Sequence, residues 1–300
     1  LKYCYLTKIE VTSDNDITDT YTLDPTAETN TGALTGTGAG KKIELITKGN
    51  SGSTYPNGFP LTNTSASLTT NGAYMVIKPG THTLRIRYWV KDVATGVEGI
   101  ITKNIPSHTF AKNEYVNMEA DLQIKNYDGD HYYMWDAQNQ YWYGYEWTKH
   151  LSGNTGQPTV NLSSSPNYAQ INADPNNRWY NESYPGHGVS NPATHTSCKD
   201  LPNANEMSWY CMYGDPRWDG DELWTTMGHL YKGGMWFKKK SVLLAEGNYN
   251  TEKSADGTTD LRTTYKYYNN TNSSINSGLP SAADANKYFY LPALGYYYSG

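Results

Sequence analysis

The first 120 residues alternate in hydrophobicity. In "THTLRIRYWVKD", Leu84, Ile86, Tyr88 and Val90 take every second position, with Thr83, Arg85, Arg87 and Trp89 between them. A strand turns successive side chains to opposite faces, so the pattern predicts a strand with one buried face. "KKIELITK" places Ile43 and Leu45 on one face, and "LTKIEVTS" alternates Leu6, Ile9 and Val11 imperfectly. "AYMVIKPG", "EGIITKNI" and "EYVNMEADLQI" complete the set of predicted strands. Strands bounded by Gly, Pro and Asn at spacings of about 10 residues predict a β-sandwich, because each must bury a face against a second sheet. No helix longer than two turns is expected before residue 121. Residues 48–72 predict a long loop.

The second half changes vocabulary. Eight of the nine tryptophans follow residue 121, and a boundary is expected near residues 120–126, giving regions 1–121 and 122–300. Its best helix is "LPNANEMSWYCMYG". Asn203 can cap it, with Glu206 three residues on to complete a capping box. Met207, Tyr210 and Cys211 share a face at i, i+3 and i+4, expected to be buried. Gly214 is expected to supply a left-handed exit. The rest predicts short strands and aromatic loops.

The final stretch, "YFYLPALGYYYSG", is apolar on both faces from Tyr288 to Leu291, as in a strand near a sheet centre. Its continuation through Tyr296, Tyr297 and Tyr298 predicts that an outer neighbour comes from further chain or from a partner strand.

Composition narrows the classes. The net charge of −5 comes with no basic stripe, which argues against nucleic acid as a partner. The run Lys238-Lys239-Lys240 fits a solvated strand end. No stretch approaches the roughly 20 apolar residues of a membrane span. The Asn, Thr, Ser, Gly and Tyr content suits an extracellular β protein of short strands and tight turns. Three cysteines are too few for a disulfide scaffold, though a Cys198–Cys211 pair is open.

Two resemblances add to this. "YLTKIEVTS", "GTGAGKKIEL", "AYMVIKPGTHTLRIRYWVKD" and "ITKNIPSHTFAKNEYVNMEADL" resemble, in order, the fimbrillin-like domains of Bacteroidales surface proteins. That implies a transthyretin-like sandwich of pilus subunits and adhesins. "LPNANEMSWYCMYG" and "YFYLPALG" resemble the Leu-Pro-x-x-x-Glu helix and the Leu-Pro-Ala segment of the Fibrobacter succinogenes major paralogous domain. That implies a C-type-lectin-like α+β fold, related to formylglycine-generating enzymes. Those enzymes carry their active cysteines beyond the segment where this chain stops, so the likeness implies the fold and not the chemistry. Together the resemblances imply a bacterial surface adhesin or pilus subunit. Such a protein would be extracellular or on the outer membrane, would join other subunits by strand addition, and would be non-enzymatic. A stand-alone lectin, a glycosidase and a formylglycine-type oxidase are the alternatives.

The candidate ligand-binding residues are Trp142, Tyr143, Tyr145, Trp218, Asp219 and Trp224, because flat rings stack on sugars and neighbouring carboxylates bind hydroxyls. "GDPRWDGDELW" gathers Asp215, Asp219, Asp221 and Glu222, an oxygen-rich set that would suit Ca²⁺, though not at EF-hand spacing. Paired carboxylates there would also serve a glycosidase. The seven histidines show no zinc spacing, and no nucleophile elbow or phosphate loop occurs.

Overall fold

The structure, a computed structural model, describes residues 1, 3–24, 33–159, 165–181, 193–266 and 275–295, with 21–24 and 33–38 described by backbone alone. Tyr296, Tyr297 and Tyr298 lie outside the described residues. The protein is mainly β, with several antiparallel sheets. Two compact units are formed, the first by Leu1–Tyr127 with Leu223–Lys232, the second by Asp128–Glu222 with Gly233–Gly300. The stretch Leu223–Lys232, placed by sequence in the second region, therefore belongs to the first unit.

The first unit is built on a five-stranded sheet. Its strands are β1 (Cys4–Ser13), β4 (Lys42–Ile46), β5 (Phe59–Pro60), β6 (Gly80–Asp92) and β7 (Glu98–Phe110), in the order β4-β1-β6-β7 with β5 also on β1. β2 (Thr18–Asp24) and β3 (Ala33–Gly40) form a separate antiparallel pair. Along β6 the alternation is clean: His82, Leu84, Ile86, Tyr88, Val90 and Asp92 are buried and the residues between them are not. Val11, Ile17 and Phe110 join that face as core.

Two bulges interrupt the ladders, and the first explains the imperfect alternation of "LTKIEVTS". β1 shifts register on β6 between Leu6 and Lys8, so Leu6 faces Val90 while Ile9 faces Tyr88 and Val11 faces Ile86. One extra residue flips the parity and returns each apolar side chain to the core. β7 shifts where His82 and Leu84 of β6 meet His108 and Ile105, across Pro106. Pro106 cannot donate to a ladder, and a bulge on an edge strand is where it costs least.

Two expected strands form no ladder. In "AYMVIKPG", Met75 and Ile77 pack on the core while Tyr74 and Val76 are exposed. The segment thus keeps its period of two as extended chain, held by Lys78 N–H to Ile17 C=O at 2.8 Å. Val116 and Leu122 of "EYVNMEADLQI" likewise pack on the core from irregular chain. Each segment buries apolar side chains as a strand would, without a pairing partner. The expected loop at 48–72 holds β5 and the one-turn α1 (Leu68–Asn71).

The second unit carries α2 (Ala204–Tyr213), α3 (Lys240–Ala245) and most of a sheet ordered β10-β8-β9-β11, of which residues 223–226 and 229–232 belong to the first unit. These strands are β8 (Arg217–Thr226), β9 (His229–Lys238), β10 (Asn276–Ser277) and β11 (Tyr288–Pro292). The α2 capping box forms as expected: Glu206 N–H donates to Asn203 Oδ1 at 3.0 Å and Asn203 N–H to Glu206 Oε2 at 2.8 Å. Its buried face differs from expectation. Tyr210 is buried as expected, but Met207 and Cys211 are exposed, and Asn205, Glu206, Ser208 and Trp209 are buried instead. The reason is polar: Leu261 N–H donates to Asn205 Oδ1 (2.7 Å), Ala255 N–H to Ser208 Oγ (2.9 Å) and Trp209 Nε1 to Lys253 C=O (2.8 Å). The helix satisfies a loop that has no ladder of its own. The expected left-handed exit at Gly214 is also corrected. Gly214 has φ −76°, and Asp215 takes the positive value, 46°. Glycine is needed at 214 because a Cβ there would lie 2.2 Å from the Tyr210 carbonyl oxygen.

β11 is a strand, as expected, and among the described residues it lies at the edge of its sheet, with no strand on its outer side. Lys239 N–H donates to Lys287 C=O and Ala293 N–H to Gly233 C=O, which puts Phe289 and Leu291 in hydrogen-bonded register with β9. Tyr288, Tyr290 and Pro292 then turn their backbone outward, so the missing N–H of Pro292 costs no bond to β9.

Candidate functional site

The structure separates the six candidate residues. Trp142 is 6% exposed, and its Nε1 donates to the Tyr132 hydroxyl. Trp224 is 3% exposed and stacks on Tyr231 in the first unit, with centroids 4.9 Å apart. Both rings are packing, which corrects their candidacy: neither offers a face to a ligand. Tyr145 covers the Arg178 guanidinium at 4.6 Å. Tyr143 is exposed, as are Trp135 and Trp147 nearby in sequence.

Trp218 is different. It lies on β8, 45% exposed, and its ring rests where other side chains are missing. A Cβ on Gly233 would approach the Trp218 ring to 3.2 Å, and one on Gly220 would approach its Nε1 to 3.4 Å. Gly233 also has φ 96°, a conformation that L side chains avoid. The glycines let the indole lie close against the β9 backbone and leave part of it open to solvent.

Asp219 anchors this platform without being available to a ligand. It is buried, and its carboxylate accepts from the backbone N–H of Asp221 (3.0 Å) and Glu222 (3.2 Å) and from Trp236 Nε1 (3.2 Å). The rest of the acidic set disperses. Asp215 accepts from Arg217 Nε (2.9 Å), the Tyr288 hydroxyl (2.7 Å) and Asn276 Nδ2 (2.6 Å). Burial would raise its pKa, but these donors outweigh it and hold the carboxyl below the usual range. Glu222 is pushed the other way, upward, by burial and then by the Asp219 charge. Among the described residues no three His, Cys, Asp or Glu side chains gather where they could hold a metal ion. The calcium expectation therefore finds no cage.

The open Cys198–Cys211 pair is not a disulfide. Cys198 is a buried free thiol whose Sγ accepts from Asp136 N–H at 3.2 Å, while Cys211 is a free thiol on the exposed side of α2.

Sequence reasoning missed Gly233 and Trp236. The signal was present in "YKGGMWFK": two glycines inside an aromatic strand mark a close approach by another group. Among the described residues, no helix is long and apolar enough to cross a membrane. Compared with known proteins, the chain matches no family model, no curated sequence and no solved structure.

Proposed function

We propose that this chain is a non-enzymatic adhesive module of a bacterial surface, with a transthyretin-like sandwich followed by a lectin-like unit that binds glycans. The observation that carries the reading is the half-open Trp218 ring, backed by Gly233 and framed by the immobilised Asp219. A rigid indole with one open face suits the apolar side of a pyranose ring, and pre-ordering limits the entropy lost on binding. The outward backbone of Tyr288 and Tyr290 supports strand addition by another subunit, since main-chain groups at an open edge are a template for pairing. The glycosidase alternative draws on Glu222, whose raised pKa suits a general acid. Its neighbour Asp219 already accepts three N–H donors, which leaves it poorly placed as nucleophile or base.

Binding to an array of immobilised glycans tests the proposal. The intact chain should bind a restricted set, and Trp218→Ala should weaken that binding about tenfold or more while leaving the fold unchanged by circular dichroism. Equal binding by the variant removes Trp218 from the site. Hydrolysis of any bound glycan that Glu222→Gln abolishes replaces the adhesive reading with an enzymatic one.

A further inference from the structure

We propose that a groove in the second unit, separate from Trp218, binds a free long-chain carboxylate. The groove has a volume of about 570 Å³. Pockets of about 300–1,000 Å³ suit small organic ligands. Leu201, Met207 and Tyr210 line it from the helix side, and Phe237, Phe289 and Leu291 from the sheet. Leu201, Met207 and Leu291 are exposed despite being apolar, so the lining meets water when the groove is empty. Tyr210 and Phe289 meet edge to face at 5.6 Å, and Phe237 stacks on Phe289 at 5.9 Å, which gives the floor a fixed shape.

The occupant's charge follows from the rim, which carries Lys239 and Lys240 and no acid. The cations around this end of the sheet are mostly neutralised. Lys238 pairs with Glu246 (2.8 Å), Lys287 with Asp284 (2.7 Å), and Lys240 with Glu206 (3.4 Å) while also lying over the Tyr249 ring. Lys239 has no ion-pair partner among the described residues. An apolar trough ending at an unpaired ammonium is complementary to an apolar chain ending in an anion. A cation or a neutral sugar would leave one of the two features unused.

Monomeric laurate, titrated below its micelle concentration and followed by calorimetry, is the probe, with dodecyltrimethylammonium as the counterpart of opposite charge. Saturable one-to-one laurate binding is expected, at least about tenfold tighter than the cation. Lys239→Glu should weaken laurate about fivefold. Met207→Asp, or Leu201→Asp should that variant fold poorly, should weaken it at least about tenfold, since each places a charge against the chain. Sedimentation and co-flotation with anionic vesicles run in parallel. Equal affinity for both amphiphiles, indifference to all three substitutions, or no saturation overturns the proposal. So does a dimer that Met207→Asp dissociates, which would make a second copy the occupant, or vesicle binding without free laurate binding, which would make it a membrane.

Discussion

The two units bury different things. The first buries the apolar face of a sheet: Leu6, Val11, Leu84, Ile86 and Val90 meet along strands whose partners are fixed by backbone ladders. The second buries polar groups that tie loops together. Arg178 is 2% exposed, bonded to the Asp174 carboxylate at 2.7 Å and to Asn167 C=O at 2.9 Å. Asp136 is fully enclosed and accepts from the backbone N–H of Thr194 (3.0 Å) and His195 (2.7 Å) and from Asn181 Nδ2 (2.9 Å). The contrast teaches how a chain long on loops folds at all. Backbone groups without a ladder still need partners, and buried carboxylates and amides supply them.

The strongest way to break this comparison is at Arg178. Asp174→Ala leaves a guanidinium enclosed without its counter-charge, and should cost about 3–5 kcal/mol. Hydrogen exchange resolved by segment should show amides of 134–159 and 165–181 losing protection while those of β6 and β7 keep theirs. Loss spread evenly over both units would mean that the polar tie is not local. In the first unit the matching change is Leu84→Ala, which removes a fully buried side chain from a ladder-bound strand. It should cost about 2–5 kcal/mol in denaturant unfolding through lost burial and a residual cavity. A cost below 1 kcal/mol would mean that the face collapses onto the gap.

Acid separates the units next. Burial alone would raise the pKa of Asp136, but its donors from His195, Thr194 and Asn181 prevail and lower it to about 2. Glu206 and Asp174 are lowered for the same kind of reason, by donors that outweigh burial. A carboxyl whose folded pKa lies below its unfolded value stabilises the fold above the unfolded pKa, and that contribution fades as pH falls through the folded one. For Asp136 it amounts to about 2 kcal/mol, present above pH ~4 and lost toward pH ~2. Asp136→Asn should flatten the acid limb of stability over that window. An unchanged limb would put the acid sensitivity elsewhere, with Asp92 of the first unit next in line. Its carboxylate accepts from the N–H groups of Leu230, Ala94 and Thr95, which also lower its pKa against burial.

This difference also decides what was legible. Period-two patterning over β6 needs only the chain itself, so the strand and its buried face could be read directly. The bulge at Thr7 showed as a slip in the pattern, because a single inserted residue leaves a trace in parity, whereas the one at Pro106 lies past the end of the strand read from the pattern. What Asn205, Ser208 and Asp136 hold lies roughly 50–60 residues away in sequence, and polar side chains carry no mark of such a partner. The α2 face was misjudged in part for that reason: Met207 and Cys211 read as core beside Tyr210, and the loop ending near Leu261 draws Asn205 inward in their place. Trp142 and Trp224 were misjudged similarly, since an aromatic-rich stretch does not say which of its rings the loops cover. Trp218 was among the candidates, but what sets it apart from Trp142 and Trp224 is its contact with Gly233, which lies on the next strand of the sheet.

The smallest expected effect tests the one part of the second unit that local sequence does dictate. Asn203 caps α2 and closes a reciprocal box with Glu206, a motif contained within four residues. Asn203→Ala should remove the side-chain acceptor of the Glu206 backbone N–H and cost about 0.5–2 kcal/mol. The box, however, is embedded in the loop contacts described above. Asn203 Nδ2 also donates to Thr251 C=O at 3.0 Å, and the Tyr249 hydroxyl to Glu206 Oε1 at 2.7 Å. Asn203→Asp separates the two roles, because aspartate accepts from the Glu206 N–H as well as asparagine does but cannot donate to Thr251. If the cap alone matters, Asp at 203 should unfold with the intact chain, within about 0.5 kcal/mol, since the two residues are near-equal caps. If the loop tie matters as much, Asp should fall nearly as far as Ala. The second unit would then depend on long-range polar contacts even at its most locally written element.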